Sequence, residues 1–273
     1  MIIEILKLSC LFSIGIIGTF IIFGLLIGWV ENESNRTMQL RFGKKAVITT
    51  GIIGTTIHEF SHYIMCKLFR HEVQSIKWFS ISVSDDRELG YVSHSYNRKS
   101  VYQRVGNFFI GVAPILVGTL ILVGFFYILL PESFNNIYSR INIKDYVIGI
   151  GNFNIIGLIS VLYNNFILII SNLFLFENLT SIRFWIYLFM AISISTHMSL
   201  SKADLKNSVD GIFFIFLLSI IVSTIAIILK LNIDIILYNL LILNCILMGF
   251  ISIGLIFSLM SLIIIKIICI RNK

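Results

Sequence analysis

Three titratable residues stand at helical spacing inside an apolar run: His58, Glu59 and His62, in the stretch TGIIGTTIHEFSHYIMCKLF from Thr50 to Phe69. Residues four apart share one face of a helix, so His58 and His62 project the same way, one turn apart. Two imidazoles so placed can reach one Zn2+ at about 2.0–2.1 Å. Glu59 sits beside them, where a carboxylate can take a proton from an activated water. Two His ligands with a Glu general base is the arrangement of the zincins. The metal matters because it lowers the pKa of a water from about 15.7 to about 7. The five-residue pattern alone recurs by chance, and its setting gives it weight. Ala46 to Ile57 carries no charge, and ionisable residues within an apolar span are costly and mark function. The bland readings are a His/Glu cluster buried for packing, or one lining a transport path.

A reactive zinc site needs a third protein ligand and one open position. The polar break STHMSLSKADLKNSVDG, Ser195 to Gly211, offers His197, Asp204 and Asp210. Asp204 is the choice. SKAD, Ser201 to Asp204, also reads as a capping box with Asp204 at N3 of the next helix, and the two roles are compatible because one carboxylate oxygen is enough for a metal. Asp210, nearly two turns further on, is the runner-up. His197 reads either as a ligand or as a helix-end polar residue. His71 and His94 fall in the loop after the motif and are expected in solvent. Glu72, Glu88, Glu132 and Glu177 lie in loops or near helix ends, which disfavours a Glu as third ligand.

The elements that must position these residues are membrane helices. The chain has 273 residues, 57% hydrophobic and 13% charged, with a mean hydropathy of +0.94. Soluble domains carry about a quarter charged residues, so this chain cannot cover its surface with polar groups. The net charge of +7 is explained by Lys and Arg at cytoplasmic helix ends. No basic patch is interleaved with exposed aromatics, which argues against nucleic acid as a partner. Cys10, Cys66, Cys245 and Cys269 form no CxxC pair and lie in apolar runs, where they read as small hydrophobes. The apolar N-terminus is too long for a cleaved signal peptide and reads as a retained first span. The abundance of Ile, Asn, Phe and Lys suits an AT-rich bacterial genome, and so a bacterial cytoplasmic membrane.

With about 20 apolar residues per crossing, the candidate spans are Leu8–Val30, Ala46–Leu68, Asn107–Leu130, Tyr146–Phe176, Ser181–Met198, Gly211–Leu231 and Ile235–Ile265. The expected fold is an all-α polytopic membrane protein with about six or seven transmembrane helices. Asn152, Asn154, Asn164 and Asn165 interrupt the fourth span, and the last is long enough to tilt or break near Asn244. The polar stretch Arg70–Arg104 alternates around Asp85, Asp86 and Gly90. It reads as a β-hairpin, with strands over Val73–Val83 and Leu89–Tyr96. Its cations place it on the cytoplasmic side. The chain reads as one membrane domain in four parts: residues 1–45, the first span and its loop; 46–130, the motif helix, hairpin and following helix; 131–210, helices and the polar break; and 211–273, the C-terminal helices.

On these residues the chain resembles the site-2 protease family of intramembrane zinc metalloproteases. HEFSH lies in a hydrophobic helix. HYIMCKLFRHEVQSIKWFS is similar to the passage where the family's motif helix gives way to a strand. ELGYVSHSY is similar to the strand that closes its membrane-associated hairpin, and GNFFIGVAPILVGTLIL to the helix after it. The likeness covers roughly Val47 to Leu122. It implies zinc within the bilayer and hydrolysis of a peptide bond in a transmembrane protein or leftover signal peptide, with the hairpin holding the substrate as an added strand. The family's Asp ligand lies in a Pro-containing segment. MSLSKADLKNSVDG has no proline, so Asp204 and Asp210 both remain candidates there. Two clean spans between Pro131 and Asp204 would put that aspartate on the wrong side of the bilayer. Either residues 146–176 are not a simple span, or the break near Ser195 lies deep. The rival reading is a non-catalytic membrane protein of the same fold, acting as a binding or regulatory partner or a small transporter.

Overall fold

A computed structural model describes residues 2–81, 89–140 and 155–271. The described chain is overwhelmingly helical, with one small antiparallel sheet. Helix α1 (Ile2–Phe42) leads into α2 (Lys44–Leu68), then strands β1 (Glu72–Lys77) and β2 (Tyr91–Ser95). There follow α3 (Val101–Gly111), α4 (Ala113–Leu129), α5 (Pro131–Arg140), α6 (Ile155–Leu173) and the single turn α7 (Phe176–Leu179). The chain ends with α8 (Ile182–Ser195), α9 (Lys202–Ile228) and α10 (Ile233–Arg271).

Among the described residues, three segments are long and apolar enough to cross a membrane: Ile2–Phe42, Lys202–Ile228 and Leu247–Ile268. The pair α3–α4 makes a fourth if its 60° bend is counted within one span. This is fewer than the six or seven expected, for separate reasons. In α2, the His and Glu residues and several Thr and Ser hydroxyls dilute the apolar face. Helix α8 has only 14 residues, about 21 Å at 1.5 Å per residue, short of a hydrocarbon core of about 30 Å. The expected span Tyr146–Phe176 lies partly outside the described residues; its described part is α6. The expected span Asn107–Leu130 is bent at Val112, where Pro114 occupies the second position of α4 and cannot donate back to the preceding turn.

Local signals explain the boundaries. No Gly or Pro separates Val30 from Phe42, so α1 runs on through polar helix formers until Gly43, which has φ 71°. Helix α2 ends in a Schellman motif. Arg70 takes φ 58°, the His71 amide donates to the Cys66 carbonyl at 2.8 Å, and the Arg70 amide to that of Lys67 at 3.2 Å. Strand β1 then starts at once. It stops at Lys77, short of the expected Val83, because Trp78 turns back onto α2 with its ring 5.6 Å from that of Tyr63. Residues 82–88, with the expected turn at Asp85 and Asp86, lie outside the described residues. The strands pair Lys77 with Tyr91 and Glu72 with Ser95, with an irregularity between Val73 and Ser75.

The main core packs α1, α4, α8 and α10 around Phe20, Phe126, Tyr187 and Phe257. Helix α10 does not break at Asn244. That side chain instead bonds across to α1, accepting from the Thr19 hydroxyl at 2.7 Å, which satisfies a polar group that would otherwise be costly.

Candidate metal centre

Helix α2 brings His58 and His62 onto one face, and the first turn of α9 brings Asp204 to them. One ligand-type atom from each of the three lies within 4.8 Å of the others. The His58 and His62 Nε2 atoms are 3.1 Å apart. Asp204 Oδ1 is 3.3 Å from His62 Nε2, and its Oδ2 is 3.8 Å from His58 Nε2.

Hydrogen bonds on the far side of each ring fix what the near side can do. His58 Nδ1 lies 2.8 Å from the His197 carbonyl oxygen, and His62 Nδ1 2.8 Å from that of Ile110. A carbonyl only accepts, so both Nδ1 atoms carry hydrogen. Both Nε2 atoms of the neutral rings are then lone pairs, and they face each other beside a carboxylate. Three acceptors cannot converge in this way without a cation or an added proton between them. The donor set, two imidazoles and one carboxylate, is one that could hold a divalent metal ion such as zinc. Tetrahedral bonds of about 2.0–2.1 Å place ligand atoms about 3.3 Å apart, and the observed separations lie around that value. The His197 and Ile110 carbonyls fix the orientation of the two rings, as outer contacts do where histidines hold a metal.

Asp204 is the N3 residue of the capping box read from its position, and its carboxylate also faces the two histidines. Ser201 caps α9 and accepts from the Asp204 amide at 3.1 Å, while Asp204 Oδ2 accepts from the Ser201 amide at 2.8 Å. Its Oδ1 remains turned to His62. The runner-up, Asp210, is placed elsewhere. Its carboxylate accepts from Arg104 Nε at 3.1 Å and Nη2 at 2.5 Å, from Asn107 Nδ2 at 3.0 Å and from the Tyr96 hydroxyl at 3.3 Å. It ties α9 to α3 and the hairpin. His197 approaches the site through its backbone carbonyl, and its ring turns to Thr50, 3.3 Å away.

Glu59 is buried and lines a cavity of about 380 Å3 with His58, His62 and Asp204. Gly90 lies over it: a Cβ there would stand 2.7 Å from Glu59 Cγ and 2.9 Å from the carbonyl oxygens of Lys77 and Trp78. Only glycine lets the hairpin approach so closely. Tyr91, Val92 and His94 of β2 form one wall of the cavity.

Three placements were not foreseen, those of His71, Glu31 and Asn35. His71 is buried rather than solvated, with its Nδ1 3.1 Å from that of His94 and its Nε2 2.9 Å from the Gln103 carbonyl. Burial lowers the pKa of both rings, that of His94 to about 4. Gly54 makes room for a close helix contact, because a Cβ would collide with the Ser193 carbonyl and the His197 side chain. The end of α8 thus rests against α2 close to His58, so the 196–201 break lies deep along α2. Finally, Glu31 and Asn35 of α1 line the cavity. Their spacing of four, on a helix continuing past its apolar part, is the signal that could have found them.

No family model matches this chain, and neither a curated protein nor a solved structure matches it.

Proposed function

We propose that the protein is an intramembrane zinc endopeptidase resembling the site-2 proteases, which hydrolyses a peptide bond in or near a membrane segment of its substrate. The observation that carries this reading is the convergence of His58 Nε2, His62 Nε2 and Asp204 Oδ1 with both Nδ1 atoms committed to carbonyls. In this reading α2, α6 and the bent α3–α4 pair lie in the bilayer with the three apolar helices, giving six crossings. Helix α8 enters without crossing. Its short length suits a ligand-bearing break at the depth of His58, in place of two full spans between Pro131 and Asp204.

His58, His62 and Asp204 would hold the metal, which would supply an activated water and polarise the scissile carbonyl. Glu59 would accept the water's proton and return it to the departing amine, so no net proton is consumed within the cavity. The cavity wall formed by β2 supports strand addition. Among the described residues β2 pairs only with β1, which leaves its other edge to an extended, unfolded substrate segment. A transmembrane protein or a leftover signal peptide supplies such a segment once locally unwound.

The test is zinc content and hydrolysis in detergent-purified protein. Wild type should hold about one zinc per chain and cleave a model transmembrane peptide. His58→Ala should lose both. Glu59→Gln should keep the metal and lose cleavage. Wild type without zinc, with every variant equally folded, would sink the reading in favour of a non-catalytic membrane protein of this fold.

A further inference from the structure

We propose that Glu31 is a positioning residue of the metal centre, acting through the link of residues 196–201; this rests on the zinc reading above. The link joins α8 to α9 and serves the site at both ends. At one end the His197 carbonyl accepts from His58 Nδ1 and sets that ring's tautomer. At the other, Ser201 caps the helix that carries Asp204. Between them the Ser199 amide donates to Glu31 Oε2 at 3.0 Å. This is a bond from the link to a third element, α1, which supplies no ligand of its own.

The seat for that bond is built into α1. Gly24, Gly28 and Glu31 share one face at helical spacing. A Cβ on Gly24 would stand 2.8 Å from Leu200 Cδ1, and one on Gly28 would stand 3.7 Å from Ser199 Cβ. The link therefore lies directly against α1, and Glu31 supplies the polar end of an otherwise apolar groove. A carboxylate drawn against this groove needs a polar partner, and the Ser199 amide is one. Holding Ser199 fixes the link between its two functional ends. Losing the acceptor leaves a backbone amide to a water in the cavity, which satisfies the bond without fixing the link's position.

The test compares zinc affinity, by chelator competition, and the visible spectrum of the cobalt(II)-loaded protein. Removing an outer contact of a metal site typically weakens binding by roughly 10- to 100-fold. Glu31→Ala should fall in that range and alter the cobalt bands, with Glu31→Met replacing it if the alanine variant does not fold. Glu31→Gln, whose amide oxygen can accept the same bond, should stay within about threefold of wild type, well inside that penalty. Wild-type affinity and spectrum in Glu31→Ala or Glu31→Met overturn the proposal and leave the zinc reading standing. Equal damage in Glu31→Gln also overturns it, since charge rather than the hydrogen bond would then be at work. Wild type that binds no metal overturns the zinc reading, and this proposal with it.

Discussion

Replacing Asp204 by asparagine separates the two tasks of that side chain. Its Oδ2 takes the Ser201 amide at 2.8 Å, and its Oδ1 lies 3.3 Å from His62 Nε2. An asparagine carbonyl can keep the first contact. Its NH2 then points at His62, satisfies that lone pair and occupies the place of a cation. Metal-free stability should stay within about 0.5 kcal/mol of wild type, whereas alanine, which orphans the Ser201 amide, should cost about 1 kcal/mol. A metal that binds only the folded state adds about 2.7 kcal/mol at a hundred times its Kd. Wild type should show that gain in thermal unfolding when zinc is returned after chelation. Asp204→Asn should show none from an unchanged metal-free baseline, and Asp204→Ala none from a lower one. Asp210→Asn should do the reverse. It weakens the contacts to Arg104, Asn107 and Tyr96, lowers the thermal midpoint and keeps the full zinc gain. If Asp204→Asn retained the gain and Asp210→Asn lost it, the ligand assignment would be wrong.

Three further outcomes follow from the geometry. Gly90→Ala places a methyl 2.7 Å from Glu59 Cγ and 2.9 Å from two carbonyl oxygens that cannot yield; zinc content should hold while hydrolysis falls at least about tenfold through misplacement of Glu59, and undiminished turnover would refute the role of the hairpin. Gly54→Ala should force α2 from α8 beside His58, costing about 1–3 kcal/mol as overpacking does and weakening zinc binding, so unchanged affinity and thermal midpoint would count against the close approach. Acid should loosen the hairpin: His71 and His94 have lowered pKa values in the folded state, so the unfolded state binds more protons between the ordinary value of 6.5 and about 4, and stability falls as pH drops through that window. The negative charge of Asp204 opposes this for His94. Hydrogen exchange of residues 72–77 and 91–95, corrected for its intrinsic pH dependence, should show protection lost toward pH 4, and constant protection would refute the link to these rings.

How far the sequence could be read depended on the kind of signal each part carried. The motif helix, the hairpin after it and the break before Asp204 are local patterns: spacing of four, alternation, and SKAD as a cap. Each has its counterpart in the fold, at α2, at β1 and β2, and at the start of α9. Span counting was less successful because hydropathy does not report geometry. Asn107–Leu130 reads as one apolar run yet bends by 60° at Val112, and Pro114 was the clue. Ile235–Ile265 suggested a break at Asn244, but that residue has a partner on α1 and the helix continues. Hydropathy also ended the first span at Val30, whereas backbone propensity carried α1 on to Phe42 and so brought Glu31 to the cavity. The sequence ranked Asp204 above Asp210 without being able to show the placement of either, since Asp210 is held by Arg104, more than a hundred positions away, while Asp204 faces the histidines.

The site also bears on how the fold is held together. Among the described residues α9 packs chiefly on α3 and α1, and α2 on α1, α3, α4 and α8. Helices α2 and α9 therefore meet mainly through the polar cluster, where Asp204 faces His62 and His58. With both imidazoles presenting lone pairs, that meeting is repulsive until a positive charge lies between them. A divalent cation would turn it into a clamp, and metal binding would then be part of the folding free energy as well as of the chemistry.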